Sequence, residues 1–198
     1  HHSVSVGATL LLDQRENFPT HIFEATAMSG IRTAAMVAWA ASACPSAQEI
    51  LIVGKGRVGN YINRLLSETT DYEIKMLDTD YQTARKVQFD QDIIITATNS
   101  LKPFITAENC TSKYVISVGA DTHFNRELST NFLENKNIYV DIEEAKEVGD
   151  LEHFEDAIVR NMFSLYDKEH TNPEVFISVG SSIMDALTIE YLMEYIPE

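Results

Sequence analysis

The segment Ile50 to Gly59, ILIVGKGRVG, limits what this chain can fold into more than any other stretch. A short β-branched run ends in Gly54-Lys55-Gly56-Arg57-Val58-Gly59, and a helical pattern follows from Asn60 through Leu66. Strand, glycine turn and helix in that order are the context that a dinucleotide-binding turn requires. Gly54 allows the tight turn, and Gly56 lets the backbone approach a pyrophosphate. Gly59 lets the helix pack closely on the strand, while the helix N-terminus, opened by Arg57 and Val58, faces the phosphates. Tyr72 to Leu77 reads as the second strand, and Asp78 ends it at about the spacing of 20 residues that the fingerprint expects. A carboxylate there accepts hydrogen bonds from a ribose 2′-hydroxyl and repels a 2′-phosphate, which favours NAD over NADP. The bland alternative is a glycine turn in an α/β protein that binds no nucleotide.

Composition sets wider limits. A chain of 198 residues can bury a core and make one domain plus a lobe. No stretch approaches the ~20 apolar residues of a membrane span. The net charge of −15 argues against nucleic acid as a partner, because phosphate binding needs clustered Lys and Arg. The acid is spread along the chain, so solubility is its plainest meaning. Cys44 and Cys110 form no CxxC or metal-ligand spacing, and His123, His153 and His170 share none either. Buried thiols in a reducing compartment, no metal, and a cytoplasmic protein without a signal peptide are the expectation.

Val4 to Asp13 and His21 to Glu24 read as a β-hairpin around a turn-rich loop. Ser29 is the expected N-cap of an alanine-rich helix running to about Ala43. From Glu49 strands and helices alternate: strands at 50–53, 73–77, 92–97, 114–118 and 137–140, helices at 57–67 and 79–87. That alternation argues for a parallel sheet with helices on its faces. Ile142 to Tyr166 reads as one or two helices, Thr171-Asn172-Pro173 as a break, and 175–179 as a short apolar run. A last helix is expected from Ser181 or Ser182 through Tyr195. A two-strand hairpin alone is marginal in water, so the segment 3–27 needs further strands to join.

Read together, the motifs resemble the ornithine cyclodeaminase/mu-crystallin family. Ser29-Gly30-Ile31-Arg32-Thr33-Ala34-Ala35 is similar to its "RTAA" helix, and the glycine turn follows it. Ile94 to Ser100 with Pro103 resembles the family's "vvTaTpS..P". Ser117-Val118-Gly119-Ala120-Asp121-Thr122 with Arg126-Glu127-Leu128 resembles its "vGaD……REL". Val140-Asp141 with Gly149-Asp150-Leu151, and Ser178-Val179-Gly180 with Asp185, match two later elements in the same order. The series runs from about residue 8 to 192.

The resemblance implies a Rossmann-type doubly wound parallel sheet with a partial substrate/dimerisation lobe. Residues 1–44 would hold that partial lobe, 45–172 the NAD-binding domain, and 173–198 a C-terminal helix returning to the lobe. It implies an NAD (NADH) cofactor and a small amino-acid or imino-acid substrate whose α-amine is oxidised and whose imine is reduced. Arg32 matches the arginine that pairs with the substrate carboxylate, and a guanidinium fork suits a bidentate carboxylate. Asp185 matches the catalytic aspartate; as a plain residue near a helix start it is also favourable with the dipole. Thr96, Thr98, Ser117, Val118 and Gly119 would line the cofactor at the carboxyl ends of strands. Asp121 would orient a loop near the cofactor or cap a turn. A homodimer is implied. Family members are longer at the N-terminus, where they carry a lysine and an acidic residue near the substrate. The lysine common before the last motif is Ile177 here, and glycines around it are partly replaced by Ser181 and Ser182.

Overall fold

In a computed structural model the protein is described over residues 7–78, 80–155, 157–166 and 174–196. The chain begins with strands β1 (Ala8–Leu12) and β2 (Pro19–Glu24), an antiparallel pair with Leu10 opposite Ile22. Helix α1 (Ala25–Ala41) follows without a linker. It starts earlier than Ser29, because the Glu24 carboxylate accepts from the N–H groups of Thr26 and Ala27 at 3.0 and 2.5 Å and caps the first turn.

The apolar runs EILIV, IIIT, YVIS and VFI form β3 (Glu49–Val53), β5 (Ile93–Thr96), β6 (Tyr114–Ser117) and β9 (Val175–Ile177). Between and after them lie α2 (Arg57–Thr69), β4 (Glu73–Leu77), α3 (Tyr81–Ala84), α4 (Thr130–Leu133), β7 (Ile138–Val140), β8 (Val159–Asn161) and α5 (Ser182–Met193). All pairs are parallel, in the order β4-β3-β5-β6-β9-β7-β8. Strands buried on both faces need no polar alternation, which is why these runs are continuously hydrophobic.

Successive side chains nonetheless part to opposite faces. Ile50, Ile52, Ile93 and Ile95 join Val37 and Ala40 of α1 and Ile62 and Leu66 of α2. Leu51, Val53 and Ile94 face the other way, onto Phe104, Phe132 and Leu133. The sheet is therefore covered on both sides, as a doubly wound α/β fold requires.

The stretch from Ile142 to Tyr166 is not helical as expected. It makes 3-10 turns at Glu143–Glu147, Gly149–Leu151 and Met162–Tyr166, and β8 joins the sheet edge between them. Gly149 sits at φ +62° with its Cα against the Ala120 carbonyl, so a helix cannot continue through it. The short helix α4 was not anticipated either. The break at 171–173 lies outside the described residues. Among the described residues, no helix is long and apolar enough to cross a membrane.

Candidate functional site

The chain reverses its winding at β3, which has β4 on one side and β5 on the other. Open α/β sheets bind ligands in the crevice outside the carboxyl ends of strands at such a point. Gly54 leaves β3 there and donates its N–H to the Leu77 carbonyl at 2.8 Å. A Cβ on Gly59 would stand 2.0 Å from the Gly54 carbonyl oxygen, so the first turn of α2 packs on the glycine turn only because position 59 is bare. At Gly56 a Cβ would meet nothing within 4 Å. Gly56 is also the N-cap of α2, makes no side-chain capping bond, and is followed by no acidic residue in the first turn. Orphan N–H groups facing open space beside Arg57 suit the pyrophosphate of a dinucleotide.

A cavity of about 430 Å³ adjoins this turn, with Val53, Asp80, Tyr81, Thr98, Asn99 and Lys102 in its wall. Asp78 follows β4 and is exposed, while Asp80 reaches the wall and caps α3 by accepting from Thr83 N at 3.0 Å. Sequence reasoning missed Asp80, Tyr81 and Lys102, although the Asp-x-x-Thr spacing was a readable helix start.

Thr96 and Ser117 are fully buried, so their hydroxyls lie beneath the crevice floor. Both point at Glu127, also fully buried: Thr96 Oγ1 is 2.8 Å and Ser117 Oγ 3.1 Å from Glu127 Oε2. Thr98 donates its N–H and hydroxyl to Oε1, each at 2.7 Å, and Gly119 N donates to Oε2 at 2.9 Å. Val118, nearly buried, bonds through its N–H to the Thr96 carbonyl at 2.9 Å. Glu127 thus ties the ends of β5 and β6 together. Asp150 supports it from behind, accepting from the N–H groups of Glu127 and Leu128 at 2.6 and 2.9 Å. Burial pushes the Glu127 carboxyl up to about 7, with the charge of Asp150 adding to the push.

One strand further along the same edge, α1 and α5 bring Arg32 and Asp185 together. Arg32 Nε lies 3.2 Å from Asp185 Oδ1, with the guanidinium mostly buried and the carboxylate more open. Gly180 lies at φ +82°, and a Cβ there would stand 2.5 Å from Arg32 Nη2. Asp141 holds that turn, accepting from Ser178 Oγ at 2.7 Å and Gly180 N at 2.8 Å. Asp121, after β6, adds a further carboxyl; desolvation pushes it up, opposed by its own backbone N–H and then by the charge of Arg32. The roles of Glu127, Asp141 and Asp150 were also missed. Their signal in the sequence is that each stands inside a motif of the resemblance, Arg126-Glu127-Leu128, Val140-Asp141 and Gly149-Asp150-Leu151, which gave no role to the acid. Among the described residues, no group of three or more His, Cys, Asp or Glu is placed to hold a metal ion.

No family model matches this sequence, and no curated protein matches it. Solved structures do match. The chain superposes on a probable ornithine cyclodeaminase from Bordetella pertussis Tohama I with a TM-score of 0.79 and 20% identity, over 95% of this chain and 72% of that one. It matches a lysine cyclodeaminase, solved for its recognition of L-lysine, L-ornithine and L-2,4-diaminobutyric acid, with a TM-score of 0.81 and 18% identity, over 96% and 65%. A Δ1-pyrroline-2-carboxylate reductase from Thermococcus litoralis, in complex with NADH and L-proline, gives 0.72 and 18%, over 96% and 71%. The fold is therefore that of these amino-acid cyclodeaminases and imine reductases, and the chain spans 65% to 72% of their lengths.

Proposed function

We propose that the chain binds NAD(H) and acts on a small L-amino acid or its imine, as an ornithine cyclodeaminase-like oxidoreductase. The observation that carries this is the Arg32–Asp185 pair at the carboxyl edge of the same sheet that carries the glycine turn and, at the end of β3, a cavity walled by Val53, Asp80 and Thr98. Gly54, Gly56, Arg57, Val58 and Gly59 would hold the pyrophosphate, and the acids at 78 and 80 the adenosine ribose, favouring NAD. The Thr98 and Gly119 backbone would border the nicotinamide end. When bound, the cofactor supplies a hydride acceptor and donor for the carbon bearing the nitrogen.

The protein's own share is binding and proton handling. Arg32 presents its fork to the substrate carboxylate, with Gly180 and Asp141 setting the fork's position. The Asp185 carboxylate, more exposed than its partner, orients the substrate amine and takes up a proton from it or from water. Of the neighbours, the lysine cyclodeaminase recognises L-lysine and L-ornithine and the reductase was solved with NADH and L-proline, which supports this substrate class.

Residues 1–44 and 173–198 form the partial substrate/dimerisation lobe in this reading, and 45–172 the cofactor domain. A homodimer in the cytoplasm belongs to the same reading, supported for the dimer by the two-stranded hairpin with its exposed Leu10, Leu12 and Ile22 and for the compartment by the free thiols Cys44 and Cys110. A second reading, a mu-crystallin-like NAD(H)-binding protein without turnover, is favoured by Ile177, buried in β9 where the family commonly has a lysine. Incubation with NAD and a panel of L-amino acids, read by mass spectrometry, separates the two. Turnover that Arg32→Ala leaves unchanged would sink the assignment of the site to the Arg32–Asp185 pair.

A further inference from the structure

Beneath the crevice, Ser117 Oγ stands between two buried carboxyls, 3.1 Å from Glu127 Oε2 and 2.7 Å from Asp150 Oδ2. A serine hydroxyl has one proton to give, so it cannot donate to both. With both acids ionised, one of the two short contacts would set a lone pair against an anion among buried groups. A proton on one carboxyl removes the conflict, and the remaining partners say which one. Glu127 meets a backbone N–H at each oxygen, Thr98 N at Oε1 and Gly119 N at Oε2, so both its oxygens are required as acceptors. Asp150 Oδ1 likewise takes two backbone N–H groups, from Glu127 and Leu128. Among the described residues, Asp150 Oδ2 meets only the Ser117 hydroxyl and is free to carry a hydrogen.

We propose that Glu127 and Asp150 share one proton through Ser117, held on Asp150 Oδ2, and that this proton positions the Thr98 and Gly119 backbone for the cofactor. Asp150 Oδ2–H donates to Ser117 Oγ, and Ser117 Oγ–H donates to Glu127 Oε2. Glu127 then grips Thr98 at the end of β5 and Gly119 at the end of β6 as an anion with every donor in register. Loss of the shared proton leaves two negative charges on either side of one hydroxyl, with no cation between them among the described residues. Arg126 acts on Asp150 only from a distance and is held by Glu152 at 2.5 Å, which also faces His123 at 3.0 Å. Burial pushes both members of the pair upward, Glu127 further than Asp150, which agrees with one proton retained by the pair into the neutral range, while its place on Asp150 rests on the hydrogen-bond partners alone.

The two acids should therefore answer differently to the same chemical change. Asn at 150 keeps an acceptor for the two N–H groups and supplies a permanent donor to Ser117. Gln at 127 turns an NH2 group against the N–H of Thr98 or Gly119. The test is a carboxyl 13C NMR titration of the full chain, labelled at Asp and Glu, from about pH 4 to pH 9. Thermal unfolding of Asp150→Asn and Glu127→Gln accompanies it. Expected are one buried carboxyl that stays protonated well above the usual carboxylate range, a signal lost in Asp150→Asn, and a much larger stability loss in Glu127→Gln. Ser117→Ala, which removes the bridge without changing charge, should shift that titration by about one pH unit. Two carboxyls ionising in the ordinary range, or equal losses in the two variants, would overturn the proposal.

The consequence for the cofactor rests on the proposed function and is read separately. NADH affinity, followed by fluorescence, should weaken about tenfold between pH 6 and pH 9, and Asp150→Asn should abolish that dependence. An affinity with the same pH dependence in both proteins overturns the positioning role. A chain that binds no NADH at all overturns the functional reading and leaves the NMR test of the proton intact.

Discussion

Arg32 and Asp185, 153 residues apart in the chain, meet with Nε 3.2 Å from Oδ1. The contact joins the helix after the hairpin to the helix after the last strand, and it gives the site a cation and an anion at one place. A substrate with a carboxylate and an amine on the same carbon carries the complementary pair. Arg32→Lys keeps the charge and loses the fork, so kcat/KM should fall about tenfold to a hundredfold for any active amino acid. Steady-state kinetics beside an unchanged melting temperature checks this; a fall in melting temperature that matches the loss of activity points instead to a structural ion pair.

Gly180→Ala tests the support behind Arg32. The residue sits at φ +82°, and the added methyl would come within 2.5 Å of Nη2. Backbone strain of about 1–2 kcal/mol is expected in denaturant unfolding. The displaced fork should raise KM for the substrate while the affinity for NADH stays constant.

The glycine turn gives two opposite outcomes. Gly56→Val adds atoms into open space, so it should fold and lose NADH binding, measured by fluorescence titration. Gly59→Ala drives a methyl against the Gly54 carbonyl and should destabilise the whole domain. Equal NADH affinity in Gly56→Val and the natural chain removes the turn from the cofactor site.

The dependence of stability on pH has a definite sign. Burial raises the Glu127 and Asp150 carboxyls together, and the one proton the pair retains, on Asp150 in the arrangement proposed above, is held well above the unfolded values near 4. A carboxyl of this kind favours the fold while protonated, so its contribution is complete below the unfolded value and is lost as pH rises through the folded one. Stability should fall between about pH 4 and pH 7, on the order of 2–4 kcal/mol, and then level off. Asp92, held low by the N–H groups of Gln48 and Glu49, acts in the opposite sense and at more acid pH. Denaturant unfolding across this range, with Asp150→Asn as the control, separates them.

Local physics explains what could be read in advance. The glycine turn, β3, α2 and β4 follow from residues close in sequence, and the parallel sheet from apolar runs separated by helical patterns. The first helix was misplaced at its start because Ser29 is the better cap by residue type, while the chain arrives from β2 with Glu24 already aimed at two free N–H groups. The acids at 143, 144 and 147 suggested a helix, and the extended backbone of Val148 with Gly149 at φ +62° ends it after a 3-10 turn. Arg32 and Asp185 were found through motif order, since their meeting is a property of the tertiary fold. Glu127, Asp141 and Asp150 stand in the same ordered motifs, but they act by burial and by backbone donors drawn from distant loops, so their roles come only with the tertiary fold.

The most direct measurement is the product analysis of the purified chain with NAD and a panel of L-amino acids by mass spectrometry. Absorbance of NADH would miss a cyclodeamination, which returns its hydride. The account predicts loss of ammonia from ornithine or lysine, or plain oxidation of another L-amino acid, and its disappearance in Arg32→Ala. No product from any amino acid, in a chain that binds NADH, would contradict it.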